Sequence, residues 1–390
     1  MTPAARVQAA IEILDVVIDA ARRRGAPADR ILGDWFRTRR YAGSGDRRAV
    51  RELVYAAIRR CGDIPASGRA ALVTLAQEDG ALAALFDGSR HGPGPIDPAE
   101  ESAHPGIAPA WLVEELENSG VGRAEQAALL GRAPLDIRIN ALKAALAVLP
   151  EPGSPTLAPH GLRYSAGTAI EQWEAYRAGA IEVQDAGSQL VCEAVGARAG
   201  EAIIDLCAGA GGKTLALGAA MDNRGALLAC DSDRSRLSRL LPRAERAGLT
   251  IVTTRLLDGG REAAALADWH GRADAVLVDA PCSGTGTWRR NPEARWRLTH
   301  GELTRLEALQ GRLLDIGAAL AGPHGRLVYV VCSLLDGEGA GQVAAFLERH
   351  PGWRAVPPPG VMGTPRGLGT RLTPWSDGTD GFFVARLERA

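Results

Sequence analysis

The stretches ADAVLVDAPC (residues 273–282) and GRLVYVVC (residues 325–332) decide the fold of this chain. Each is a short run of apolar residues that ends in a cysteine, Cys282 or Cys332. Such runs are typical of parallel strands that are buried on both faces of a sheet. Because open α/β sheets bind ligands at the carboxyl ends of their strands, we expect the two thiols at one site. Two thiols that arrive there together indicate nucleophilic chemistry rather than packing.

The pattern around these two strands alternates between apolar runs and helical periodicity from residue 201 onward. We predict further strands at 202–207, 226–231 and 250–258, and helices from Gly212, over 234–247 and near 302–321. The segments GWRAVP (352–357) and DGFFVARLE (380–388) are predicted to close the sheet as an antiparallel pair. The alternation is typical of a doubly wound parallel sheet with right-handed crossovers.

The amino-terminal region has a different, helical pattern. Residues 4–24 carry an apolar stripe, a second helix is expected to start near Pro27, and a third follows Asp46 as its N-cap. The first 88 or so residues are therefore predicted to be all-helical. The segment Gly92–Pro109, rich in proline and glycine, is the expected linker.

Composition places the chain among ordinary globular proteins. It has 390 residues, 46% hydrophobic and 23% charged, with a net charge of −1, which is enough for two or three domains. Residues 1–60 hold thirteen arginines against seven acidic residues, a balance of +6. That excess fits a nucleic-acid surface, although charge alone favours a solvated helical face. The six cysteines form no CxxC pair, and no signal peptide or membrane-spanning run is visible, so we expect a cytoplasmic protein without disulfides or a metal site.

A glycine-rich turn, DLCAGAGGKT, follows the first strand of this region at residues 205–214. A nucleotide-binding P-loop would need glycine at position 207, which is cysteine, so we reject that reading. As a Rossmann-like turn, glycines 209, 211 and 212 let the backbone approach a ligand at a helix N-terminus. Asp231 ends the next strand, where an acid binds ribose hydroxyls. On the turn alone, a nicotinamide dinucleotide and a tight turn without a ligand both stay open.

Taken together, several segments resemble the RsmB/NSUN family of RNA cytosine-5 methyltransferases. The matching stretches are PLDIRIN (134–140), VQDAGSQL (183–190), CAGAGGK (207–213), DAPCSGTGTWRRNPEARWR (279–297), VYVVCS (328–333) and DGFF (380–383). The helical segment GDRRAVRELVYAAIRR (45–60) resembles the NusB-type RNA-binding domain of the bacterial rRNA enzymes. The resemblance covers nearly the whole chain.

The resemblance implies a Rossmann-like class I methyltransferase sheet preceded by an all-helical NusB-like domain. The expected divisions are the helical domain at 1–90, a linker and connecting helix at 91–125, a subdomain at 126–190 and the methyltransferase domain at 191–390. The implied activity is transfer of a methyl group from S-adenosylmethionine to carbon-5 of a cytosine in small-subunit rRNA. A tRNA substrate and a catalytically silent RNA-binding assembly factor are the alternatives, and an NAD-dependent oxidoreductase is a distant third. The implied partner is RNA, either small-subunit rRNA or its assembly particle, with no membrane, and the protein is expected to be a monomer.

The family's reaction also implies roles for single residues. Cys332 is the implied nucleophile on carbon-6 of cytosine, and Cys282 assists release of the product, with the reverse assignment left open. Asp279 would hold the amino edge of cytosine beside the methyl donor, and Lys213 would reach toward the substrate. Asp231 would bind ribose and Asp258 would lie near the adenine. The backbone cradle for the cofactor would come from Cys207, Ala208, Gly209, Ala210, Gly211, Gly212 and Lys213.

RNA contacts are expected from arginines near the site. A thiol reaches carbon-6 only in a base that is single-stranded or flipped out of its helix. Trp288 and Trp296 are expected either to stack on such bases or to pack in the core. The expected phosphate and RNA contacts are Arg138, Asn140, Arg289, Arg290, Arg295 and Arg297.

Overall fold

A computed structural model describes residues 1–23, 25–361 and 363–390 of the chain. Its residues divide into two units, one of Met1–Gly131 with Thr287–Thr299 and one of Arg132–Gly286 with His300–Ala390. The sequence had assigned all of 191–390 to one domain, whereas Thr287–Thr299 groups with the amino-terminal helices. No helix in the described part of the chain is long and apolar enough to span a membrane.

The first unit is built from helices. They are α1 (Pro3–Arg22), α2 (Ala28–Thr38), α3 (Ser44–Arg60), α4 (Gly68–Ala76), α5 (Gly80–Ala83), α6 (Ala110–Asn118) and α7 (Arg123–Ala128). The apolar stripe predicted for the first helix is the buried face of α1, and the hydroxyl of Thr2 caps that helix by accepting the Ala5 N–H at 3.2 Å. Arg24, which the prediction included in this helix, lies outside the described residues. Residues 84–109, all described, join α5 to α6 without a helix or strand of their own.

Asp46 is not the N-cap of the third helix, as the sequence predicted. Gly43 takes that position, and the Asp46 carboxylate reaches back to accept the Gly43 N–H at 3.3 Å. The same carboxylate pairs with the amino group of Met1 at 3.0 Å and with Arg6 at 2.9 Å. The first N–H groups of a helix have no partner within it, and a carboxylate at the third helical position can accept one of them. This explains why the N-cap lies three residues before Asp46 and not at Asp46 itself.

The segment Thr287–Thr299 completes the core of the helical unit. Its 3₁₀ helix, Pro292–Arg297, carries Trp296, which is buried in the same apolar cluster as α1, α2 and α3. Trp288 is also fully buried. Of the two roles expected for these tryptophans, packing in the core is the one that the structure shows.

The second unit contains two sheets. A small antiparallel sheet has the order β2-β3-β1-β4. A larger sheet has the order β11-β12-β13-β9-β8-β5-β6-β7, with β10 paired to β13. The strands are β1 (Leu135–Ile139), β2 (Ser154–Pro155), β3 (Gly161–Tyr164), β4 (Ile181–Val183), β5 (Ala202–Asp205), β6 (Ala226–Asp231), β7 (Val252–Leu256), β8 (Ala273–Asp279), β9 (Ala321–Val331), β10 (Trp353–Val356), β11 (Thr364–Arg366), β12 (Gly369–Leu372) and β13 (Phe382–Arg389).

Helices flank the larger sheet on both faces. The short helix α8 (Glu174–Arg177) packs instead against β4 of the small sheet. The flanking helices are α9 (Ala186–Val195), α10 (Gly212–Ala220), α11 (Arg234–Leu237), α12 (Leu240–Ala247), α13 (Glu262–Ala265), α14 (His300–Leu320) and α15 (Ala340–Arg349). Along β9, Leu327, Tyr329 and Val331 pack in the cluster of α14 and α15, while Val328 and Val330 pack in the cluster of α9 and α10. Burial on both faces explains why the central residues of the two cysteine strands are apolar.

The predicted elements of this unit are largely confirmed, with one break. Strands β5 to β9 pair in parallel with one another, and β13 pairs antiparallel with β9. Strand β10 pairs antiparallel with β13, as expected for the closing pair. The single helix predicted over 234–247 is instead divided into α11 and α12. Pro242 lacks the N–H that would bond the carbonyl of Ser238, so the helix is interrupted at that point.

Candidate active site

The glycine turn after β5 brings the backbone close to the carboxyl ends of the strands. Gly209 and Gly211 have φ angles of +56° and +89°, which side chains other than glycine rarely adopt. A Cβ atom on Gly209 would lie 2.4 Å from the guanidinium of Arg236, but that group is the end of a flexible side chain, so the φ angle is what favours glycine here. The N–H of Gly209 donates to Oδ2 of Asp231 at 2.6 Å, which fixes the turn against the end of β6.

A cleft of about 420 Å³ opens beside this turn. Five of the residues predicted for the site line it together, namely Cys207, Asp231, Asp279, Cys282 and Cys332. Apolar walls come from Leu257, Leu309 and Leu313. Asp258 and residues 208–213 of the glycine turn are not among the lining residues, and their assignment to the cofactor stays a prediction.

The two cysteines meet in this cleft. Cys332 directly follows β9, and Cys282 lies three residues after β8, which pairs in parallel with β9 so that Asp279 is opposite Val330. The two Sγ atoms are 3.4 Å apart. The pKa of Cys282 is raised well above that of a free thiol by its hydrogen bond with Cys332 and by burial. Cys282 is therefore a neutral thiol at neutral pH, able to donate a proton.

The other cysteines have different surroundings. Cys61, Cys192 and Cys230 are buried, and burial raises the pKa of Cys192 and of Cys230 to about 12. Thiols of this kind are inert, which fits a structural role.

Lys213 and Asp279 form an ion pair at the edge of the cleft, with 2.7 Å between Nζ and Oδ2. Burial alone would lower the pKa of Lys213, but the Asp279 carboxylate outweighs it and raises that pKa. Lys213 is therefore a permanent cation. It can hold Asp279 in place and stabilise negative charge, but it does not accept a proton.

Most of the expected RNA contacts are buried and bonded within the fold. Asn140 is 2% exposed, and its amide nitrogen donates to the carbonyls of Gly179 and Ala247, each at 2.9 Å. Arg138 is 6% exposed and donates to Gln184 at 2.8 Å. These contacts give both residues structural roles in place of the RNA contacts predicted from the sequence.

The arginines of the segment 287–299 show the same pattern. Arg295 is fully buried and donates from Nη2 to the carbonyls of Ile58 at 2.6 Å and Cys61 at 2.8 Å. Arg297 donates to the carbonyls of Gly25 at 2.7 Å and Ala26 at 2.8 Å. These bonds end on backbone oxygens of the helical unit, so Arg295 is not the phosphate contact that the sequence indicated. Arg289 is also buried, and Arg290, which is half-buried, stays a predicted RNA contact.

Sequence reasoning missed several charged residues near the cysteines, among them Arg236, Glu262 and Glu338. Arg236 and Glu262 line the cleft, and Glu338 is buried next to the Cys282 loop, where it accepts the Ser283 N–H at 2.8 Å. Arg236 comes five residues after Asp231 and Glu338 six after Cys332. The available signal was that Arg236 and Glu338 are close in sequence to predicted site residues. Closeness in sequence does not show which side chains lie at the cleft.

Comparisons with known proteins agree with this geometry. The model of a family described as 16S rRNA methyltransferase RsmB/F matches residues 193–388. A probable ribosomal RNA small subunit methyltransferase B from Synechocystis is 34% identical over 300 residues, which cover 72% of this chain and 67% of that protein. The ribosomal RNA small subunit methyltransferase B of Erwinia tasmaniensis is 34% identical over 293 residues, covering 72% and 66%. The chain thus spans about two thirds of the length of these relatives.

A solved structure, that of PH0851, shares the fold over the whole chain. Its TM-score is 0.75 at 24% sequence identity, and the superposition covers 100% of this chain and 99% of the other.

Proposed function

Because the chain belongs to the RsmB/F family of 16S rRNA methyltransferases, we propose that it methylates carbon-5 of a cytosine in small-subunit rRNA through a covalent adduct with Cys332. The observation that carries this proposal is the contact of two thiols, 3.4 Å apart, in a cleft that also contains Asp231 and Asp279. Membership of a methyltransferase family sets aside the NAD-dependent oxidoreductase that the glycine turn alone left open. A monomeric, cytoplasmic enzyme is part of the proposal.

The cleft fits S-adenosylmethionine, the methyl donor. Among the described residues, the N–H groups of Gly209 and Asp233 occupy two acceptor positions of the Asp231 carboxylate, and a carboxylate has about four such positions. Asp231 therefore retains acceptors for a ribose hydroxyl pair. Leu257 and Leu309 supply apolar walls for an adenine ring. When bound, the cofactor supplies an electrophilic methyl group.

The thiols activate the pyrimidine. Carbon-5 of cytosine is a weak nucleophile until the Cys332 thiolate adds to carbon-6, which makes carbon-5 enamine-like. After methylation at carbon-5, loss of the carbon-5 proton to a base allows the bond between Sγ and carbon-6 to break, and the double bond re-forms. In this proposal Cys332 attacks carbon-6, and Cys282, whose Sγ lies 3.4 Å from that of Cys332, assists release of the product.

Asp279 and Lys213 orient the base in this proposal. The Asp279 carboxylate accepts from the amino group of cytosine, a group that uracil lacks, and this selects cytosine. Lys213 fixes the carboxylate by its 2.7 Å ion pair. The pair thereby sets the position of the base relative to the two thiols.

The proposal is tested by bisulfite sequencing of total RNA from cells with and without the gene. The expected result is one cytosine of 16S rRNA whose protection disappears with the gene. Loss of protection in a tRNA would establish the tRNA alternative. Unchanged protection everywhere, combined with RNA binding by the purified protein, would favour the assembly factor.

We expect Asp231→Asn to weaken S-adenosylmethionine binding by about tenfold or more, because hydrogen bonds to a charged acceptor contribute roughly 1.5–3 kcal/mol. Isothermal titration calorimetry measures the change. Asp222→Asn is the matched control, since Asp222 is exposed and lies in the same unit. Equal dissociation constants for wild type and Asp231→Asn would contradict the ribose-binding role.

A further inference from the structure

Glu338 is a fully buried carboxylate that touches the loop of one cysteine and follows the other in sequence. It lies between β9 and α15, and its exposed fraction is 0%. Its Oε1 accepts the N–H of Ser283 at 2.8 Å and the side-chain amide of Gln310 at 3.0 Å. Its Oε2 accepts the hydroxyl of Ser283. Three donors therefore converge on this carboxylate.

The hydrogen bonds continue into the loop of the other cysteine. The hydroxyl oxygens of Ser283 and Ser333 are 3.1 Å apart, and that of Thr285 lies 3.1 Å from Ser333. The Thr285 hydroxyl in turn accepts the Leu334 N–H at 2.9 Å. Ser283 directly follows Cys282 and Ser333 directly follows Cys332, so the network links the residues next to both thiols.

The backbone of Glu338 is itself anchored. Its carbonyl accepts the hydroxyl of Tyr329 at 2.6 Å, and Tyr329 is a fully buried residue of β9. Gln310 is anchored as well, because its amide also donates to the carbonyl of Pro281 at 2.9 Å. The carboxylate thus has fixed supports on β9 and on α14.

Burying a carboxylate is costly unless its acceptor positions are filled. The three donors around Glu338 fill acceptor positions of its carboxylate. In turn, these donors lose a hydrogen-bond acceptor when the carboxylate is removed. An apolar side chain at this position would leave the Ser283 N–H without its acceptor inside the fold. The arrangement is therefore specific for an acceptor between the two loops.

We propose that Glu338 is a positioning residue that joins the Cys282 and Cys332 loops and holds their thiols in contact. Its consequence for catalysis rests on the proposed function, but the positioning itself does not. Removal of the acceptor separates the loops, and the two sulfur atoms meet less often.

The test measures how readily the thiols meet, using the full chain and diamide. This oxidant takes one hydrogen from each of two neighbouring thiols and leaves a disulfide. Mass spectrometry of unreduced peptides then quantifies the bond between Cys282 and Cys332. Four proteins are compared: wild type, Glu338→Leu, Glu338→Gln and Glu348→Gln. Glu348 is exposed on α15 and serves as the matched control.

We expect Glu338→Leu to slow disulfide formation by about tenfold or more, because the Ser283 N–H and the Gln310 amide lose their buried acceptor and the two loops are no longer held together. Glu338→Gln keeps an acceptor oxygen for the Ser283 N–H and should stay within about threefold of wild type. Glu348→Gln should not change the rate. S-adenosylmethionine affinity is measured in parallel, and kcat for methyl transfer is expected to fall in Glu338→Leu while KM for the cofactor is retained.

Equal disulfide rates in wild type and Glu338→Leu would overturn the positioning role and leave the proposed function intact. Absence of methyl transfer by the wild type would overturn the proposed function and leave the disulfide result intact. If Glu338→Leu fails to fold, Ser283→Ala removes only the hydroxyl link between the loops. An unchanged disulfide rate in that variant would then overturn the proposal.

Discussion

Cys332→Ala is expected to abolish methyl transfer, with a loss of about 10³-fold or more, because it removes the thiolate that the proposed mechanism adds to carbon-6. Transfer of labelled methyl groups to unmodified 16S rRNA measures the loss. Cys192→Ala is the control, since Cys192 is buried with a pKa raised to about 12 by burial and has no place in the mechanism. Its activity should stay close to that of wild type.

Cys282→Ala should behave differently, because this variant keeps the attacking thiol and loses the one that assists release. We expect it to accumulate a protein–RNA adduct that survives a denaturing gel, while Cys332→Ala forms none. The opposite pattern, with an adduct only in Cys332→Ala, would establish Cys282 as the nucleophile. The 3.4 Å separation of the two sulfurs makes either assignment geometrically feasible, so the trapping experiment decides between them.

Arg295→Met is expected to destabilise the helical unit by roughly 3 kcal/mol, because the carbonyls of Ile58 and Cys61 lose their buried donor. The first carbonyl lies in the last turn of α3, where helix carbonyls lack partners of their own. Burial lowers the pKa of Arg295 to about 10, yet it stays charged at neutral pH and suits the negative end of that helix. Methionine matches the length of the stem but supplies no donor.

Hydrogen exchange of the α3 amides measures the effect on the helical unit directly. Arg48→Met is the control, since Arg48 is exposed on the same helix, and a change there should stay within about 0.5 kcal/mol. Equal protection of α3 in wild type and Arg295→Met would contradict the structural role. Unchanged stability with weakened RNA binding would instead restore the phosphate contact inferred from the sequence.

The cysteine pair shows what the sequence alone could predict. Two apolar runs that each end in a cysteine are long enough to be recognised as neighbouring parallel strands, and their pairing determines where the thiols meet. The helix α1 was also predictable from its apolar stripe, because the helical spacing of its apolar residues reflects burial against one core.

The arginines show where sequence reasoning fails. Arg290 and Arg295 have the same side chain five residues apart, but one is half-buried and the other is fully buried against backbone carbonyls. Whether a guanidinium binds phosphate or backbone depends on which carbonyls the fold leaves unpaired nearby, and a linear pattern does not contain that information. Short strands such as β2 and β11 were missed because two or three residues carry no measurable periodicity.

The grouping of Thr287–Thr299 with the amino-terminal helices has a consequence for how the protein can be divided. A fragment that begins after Gly131 would keep this segment but lose the helices whose core buries Trp296. The tryptophan and the unpaired guanidinium of Arg295 would then face water, inviting aggregation of a fragment whose own sheet is intact. A single cut in the gene between the two units therefore divides the core of the helical unit, and both units have to be expressed together to keep that core complete.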